Sequence, residues 1–212
     1  MVFLGAAYPN EKTQAFLRTF YKNADICRIE QKTTAMEKIG IFCSACSDIR
    51  PVYFERAREL GEWMGREHKT LVYGGADLGL MECVAQAVKQ NGGHVIGIVP
   101  AKLEERGHVS DCIDTIFHTR DLSDRKDLLA AQSDVLVALP GGIGTLDEVF
   151  HVMAASTIGY YQKKIIFYNI DGFYDGLLDC LHALESQGFV RHPLDRYFDV
   201  VRDLNELITL LT

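Results

Sequence analysis

The chain has 212 residues, 48% of them hydrophobic and 24% charged, and a formal net charge of −7. These values exclude a disordered polymer and a small scaffold stapled by disulfides or metal, because a chain of this size and composition buries a core of its own. The acidic balance gives no global attraction to nucleic acid or to an anionic membrane, so neither is expected as a partner and any phosphate site must be built locally.

No apolar run reaches the roughly 20 residues that span a bilayer. The opening segment, Met1 to Pro9, lacks the basic stretch and the apolar length of a signal peptide. Of the six cysteines only Cys43 and Cys46 lie close together, and no second arm completes a zinc site. They read as reduced thiols of a cytoplasmic protein.

In chain order, residues 1–35 show a helical pattern from Glu11 to Tyr21 but no clear strand. They are expected to form a peripheral extension, with the functional domain, 36–212, starting near Met36. The first predicted strand is Ile39 to Cys43, and Pro51 opens a helix to about His68, since its missing N–H would be unpaired there anyway. Thr70 to Tyr73 is the next strand. A helix from Leu78 to Gln90 follows, ended by Asn91-Gly92-Gly93. Strands are expected at His94–Val99, Ile113–His118, Asp134–Leu139, Lys164–Tyr168 and Tyr197–Val201. Helices fall near Ser123–Gln132, Thr145–Tyr160, Tyr174–Gln187 and from Leu204. Strand and helix alternating in this way define an α/β protein, a Rossmann-like three-layer αβα fold with a mostly parallel sheet.

Ligands of open parallel sheets bind beyond the carboxyl ends of the strands. Two predicted strand ends carry glycines there. One is Gly74-Gly75, followed by Gly79-Leu80-Met81; the other is Pro140-Gly141-Gly142-Ile143-Gly144-Thr145. Glycines admit an anion to backbone N–H groups, and the helix that follows adds its unpaired amides and positive dipole end. One such loop is as readily a tight turn as an anion site; two of them point to a phosphorylated ligand. Neither a nucleotide-triphosphate loop ending in Gly-Lys-Ser/Thr nor a dinucleotide fingerprint is present, so a single phosphate fits better. Glu148 stands one turn into the helix, where a carboxylate can bind sugar hydroxyls or assist water. Its neighbour Asp147 points about 100° away. Arg125 and Lys126 open a helix, where cations are unfavourable without a partner, and a substrate phosphate or the carboxylate of Glu148 would supply one. His108 and His151 carry no motif. The Cys43/Cys46 pair reads either as a redox pair or as small side chains lining a ligand loop.

Pro140 to Glu148 matches the pattern PGGxGTxxE in full, and the chain from about Ile39 to Val201 resembles the LOG (Lonely Guy) family, often mislabelled as possible lysine decarboxylases. The likeness includes Leu71–Gly75, Gly79–Met81, Val95–Pro100, Arg125-Lys126 and Asp171-Gly172-Phe173-Tyr174. It implies a Rossmann-like homodimer that hydrolyses the N-glycosidic bond of a cytokinin or purine nucleoside 5′-monophosphate, without metal or organic cofactor, to free base and ribose 5-phosphate. By position in the motif, Arg125 and Glu148 would be catalytic. Gly74, Gly75, Met81, Glu105, Lys126, Pro140, Gly141, Gly142, Ile143, Gly144 and Thr145 would meet substrate or phosphate. The chain departs from the family pattern at Ser123, usually histidine, at Glu82, usually glycine, and over Cys43–Cys46 and Ala155–Gly159. AMP is therefore as good a candidate substrate as a prenylated nucleotide. The same resemblance leaves open a non-catalytic binder of nucleotide or molybdenum cofactor on this fold.

Overall fold

A computed structural model describes residues 37–212. The expectations for residues 1–35 lie outside the described residues. Seven strands form one sheet: β1 Lys38–Phe42, β2 Thr70–Tyr73, β3 His94–Pro100, β4 Thr115–Thr119, β5 Val135–Ala138, β6 Ile165–Tyr168 and β7 Phe198–Val201. Every pairing is parallel, and the order is β4-β3-β2-β1-β5-β6-β7. The central strands are buried throughout, as β5 and β6 show, because helices cover both faces.

The helices are α1 Pro51–Arg66, α2 Gly79–Gln90, α3 Ala101–Glu105, α4 Leu122–Gln132, α5 Ile143–Thr157, α6 Asp175–Ser186 and α7 Leu204–Leu211. On one face Leu60 and Met64 of α1, Val84 and Val88 of α2 and Leu207 of α7 pack on Ile39, Ile41 and Leu71. On the other, Leu129 of α4, Val149 and Val152 of α5 and Leu178 of α6 pack on Phe42, Val72, Leu136 and Phe167. Alternate strand residues therefore feed opposite cores, as a pleated strand requires.

Pro51 occupies the first turn of α1 as expected. The stop of α2 differs in detail: Asn91 keeps a negative φ of −104° and hydrogen-bonds the Ala87 carbonyl through Nδ2 (2.9 Å), while Gly92 takes the left-handed turn at φ +90°. Helix α3 was not expected. It is a five-residue helix with no buried residue, so it leaves no apolar periodicity to read. Among the described residues no helix is long and apolar enough to cross a membrane.

Candidate active site

Strand order reverses between β1 and β5, and a crevice opens at such a switch point beyond the carboxyl ends of the strands. Both strand ends are tied together there. The Leu139 amide donates to the Phe42 carbonyl (2.9 Å) and the Ser44 amide to the Pro140 carbonyl (3.2 Å). The hydroxyl of Tyr174 also donates to the Leu139 carbonyl at 2.6 Å, so both the amide and the carbonyl of Leu139, which enters the glycine loop, are engaged. Tyr174 is itself held by its amide, which donates to Asn169 Oδ1 at 2.7 Å.

From this anchor the chain turns through buried Pro140 and Gly141 into α5. Gly142 is the N-cap, and no side chain caps the helix. The Leu146 amide makes the first helical bond, to the Gly142 carbonyl (3.0 Å), leaving the amides ahead of it without an intrahelical acceptor. Gly142, Ile143 and Gly144 are exposed, and a Cβ added at Gly142 or Gly144 would meet nothing within 4 Å. Gly141 differs: a Cβ there would strike the buried Thr145 side chain, so glycine is required for this turn. The result is a solvent-exposed helix N-terminus just beyond the carboxyl end of β5.

Glu148, one turn on, is 4% exposed and pairs with Arg125 through Oε1 and Nη1 at 2.6 Å. Burial pushes the Glu148 carboxyl above its ordinary range, against the lowering pull of the Arg125 guanidinium. Arg125 is anchored by its Nε–H, which donates to the Ile98 carbonyl of β3 (3.3 Å). Its guanidinium lies over Gly74, where any Cβ would overlap it. The two glycine clusters and the Arg–Glu pair thus converge on one place, and the carboxylate partner expected for Arg125 is Glu148.

Lys126, expected to meet substrate or phosphate, reaches across to both carboxylate oxygens of Asp147, each at 2.9 Å. Gly75, at φ +79°, accepts the Ser110 amide (3.0 Å). Met81 is half-buried against the α1–α2 core, and Glu105 is exposed at the end of α3, away from any ion pair among the described residues. Ile143 is 88% exposed. His151 pairs with Asp127 (2.9 Å) and His108 with Asp77 (3.2 Å).

Cys43 and Cys46 are free thiols, the first buried and the second exposed. Burial and then the nearby Glu148 charge push the Cys43 thiol up, which makes it a poor nucleophile. Sequence reasoning assigned no role to Tyr174, although it lies in the quoted Asp171–Tyr174 segment. Only the tertiary contact with Leu139 reveals one.

Fold and site together define a doubly wound α/β protein with an open helix N-terminus and a buried Arg–Glu pair at its switch point. A family model described as "Possible lysine decarboxylase" matches residues 81–211. The chain is 33% identical over 183 residues to cytokinin riboside 5′-monophosphate phosphoribohydrolase LOG7 of Arabidopsis thaliana, covering 86% of this chain and 84% of that protein. It is likewise 33% identical over 175 residues to LOG5 of the same plant, covering 82% and 77%. The chain belongs to the LOG family. Among solved structures it is similar to the molybdenum cofactor carrier protein of Chlamydomonas reinhardtii, with TM-score 0.64 and 25% identity over 83% of this chain and 96% of that one. A molybdenum cofactor binding protein from Rippkaea orientalis shares the fold at TM-score 0.63.

Proposed function

We propose that the protein hydrolyses the N-glycosidic bond of a purine nucleoside 5′-monophosphate, adenine or a cytokinin base included, releasing the base and ribose 5-phosphate. The observation that carries this is the buried Arg125–Glu148 pair, 2.6 Å apart, beside the open N-terminus of α5. The 5′-phosphate sits on the amides of Ile143, Gly144 and Thr145, aided by the dipole of α5. As the bond to the base stretches, C1′ gains oxocarbenium character. The Glu148 carboxylate stabilises that charge and orients the attacking water. The water oxygen bonds to C1′ as the C1′–N bond breaks, and the proton that the water gives up passes to the departing base nitrogen, so the base leaves neutral. Arg125 holds Glu148 in place and balances charge that develops on phosphate or base. Names of relatives 33% identical support this reading of substrate and reaction. We further propose that the enzyme works as a cytoplasmic homodimer and accepts plain AMP.

Glu148→Gln tests the assignment, since it keeps the shape and removes the charge. Chromatography of free base from AMP and isopentenyladenosine monophosphate should show turnover reduced by about 10²–10³-fold or more, with the thermal transition retained. Unchanged turnover would remove Glu148 from the mechanism. The likeness to molybdenum cofactor carriers favours a second reading, binding without turnover. It would be adopted if the wild type bound nucleotide or pterin but released no base from any nucleotide.

A further inference from the structure

A second concavity, of about 600 Å³, lies beyond the carboxyl ends of β3 and β4, between α3 and the first turn of α4. None of its lining belongs to the glycine loops or to the Arg125–Glu148 pair. Pro100, Leu103 and Leu122 give it an apolar floor, and Leu122 is 60% exposed although it is a large aliphatic residue. Lys102, Arg106 and Arg120 converge on the same space. In a chain of net charge −7 this is a local reversal of sign.

Three of the four carboxylates around it, Asp121, Asp124 and Glu104, are already engaged, and Glu105 is not. Asp121, the one carboxylate in the lining, accepts the amides of Ser123 (2.8 Å) and Asp124 (3.0 Å) as the cap of α4. Asp124 is held by Arg120 (2.8 Å), and Glu104 by His118 (2.7 Å). Glu105 is exposed on the last turn of α3. Lys102 and Arg106 enter no ion pair among the described residues, although most cations of the domain do. Two cations outside any ion pair and a third shared one, beside apolar side chains, complement a ligand that is both multiply anionic and apolar in its body. A volume near 600 Å³ lies within the range of roughly 300–1,000 Å³ usual for small-molecule sites.

We infer that this pocket is a second ligand site, separate from the reaction site, for a small organic polyanion with an aromatic or aliphatic body. A nucleoside diphosphate is a representative. The site stands whether or not the chain hydrolyses nucleotides. Its occupant would bear on Leu122 and Ser123, the first turn of the helix that carries Arg125.

Calorimetric titration of ADP into the full chain tests it. Wild type should bind ADP, and Lys102→Glu with Arg106→Glu should weaken that binding by about tenfold or more, because two attractive charges become repulsive. The charge-reversal titrations are made in the Gly142→Asp background, where a Cβ meets nothing within 4 Å and the added carboxylate repels nucleotide phosphate from the reaction site; Gly142→Asp alone should keep the ADP binding that belongs to the pocket. A melting temperature near that of wild type in each variant establishes that the fold is intact. Undiminished ADP binding in the charge-reversed variant overturns the proposal, as does absence of ADP binding to wild type at millimolar concentration. Loss of binding in both variants would merge the pocket with the first site and overturn a separate one. Base release from AMP is measured in parallel, so failure of the proposed reaction is read independently of the titration.

Discussion

Gly74 shows how one absent side chain sets the chemistry of another. Its missing Cβ leaves the space filled by the Arg125 guanidinium, and its φ is not left-handed, so alanine is allowed by the backbone but not by the neighbour. The obstructed group is the far end of a flexible side chain, so Gly74→Ala should move the guanidinium rather than unfold the protein. Glu148 then keeps its burial, which raises its pKa, and loses the cation that lowers it. The carboxylate form that the proposed mechanism uses would be reached only at higher pH. If Glu148 acts as proposed, the acidic limb of the rate profile should lie at higher pH in Gly74→Ala than in wild type, and turnover at neutral pH should fall. An unmoved limb would mean that Arg125 does not govern the charge of Glu148.

Helices and strands of this domain were legible because their cores write a period into the chain. Val135 to Ala138 is buried at every position and reads as a central strand, and α1 and α2 carry their buried residues along one side. Helix α3 left no such mark, having no buried residue. The glycine loops could be placed at strand ends from spacing alone. The partners of Arg125 and Lys126 could not, since the two acids are brought to them by α5 packing beside α4, 23 and 21 residues along the chain. Tyr174 belongs to the same class. Its hydroxyl bond to the Leu139 carbonyl couples the turn before α6 to the strand end that feeds the glycine loop. Tyr174→Phe removes this bond and strands a buried acceptor, a cost of about 1–3 kcal/mol in stability. A slack loop should also raise KM for the monophosphate while kcat changes little. A lower melting temperature with unchanged KM would confine Tyr174 to a structural role.

At the scale of the molecule, apolar surface remains that the fold of residues 37–212 does not bury. Phe150 is 39% exposed, Ile158 65%, Tyr160 79% and Ile143 88%. Positions 143, 150 and 158 follow one another at about two helical turns, so they mark a single stripe along α5, starting at the open N-terminus and ending at its C-cap. Isolated exposed apolar residues are ordinary, but an aligned set marks an interaction face. A second copy of the chain is the economical occupant, because two-fold pairing lets the same stripe cover itself. Such a pairing would also bring the partner close to Ile143, beside the amides proposed to hold the phosphate. Light scattering on the wild type should therefore give twice the mass of one chain, and Phe150→Glu with Ile158→Glu should halve it while circular dichroism stays unchanged. If the stripe also shelters the site, the halved species should release base more slowly than wild type at equal chain concentration. A wild type that is monomeric across the micromolar range would assign the stripe to some other partner and separate the reaction from self-association.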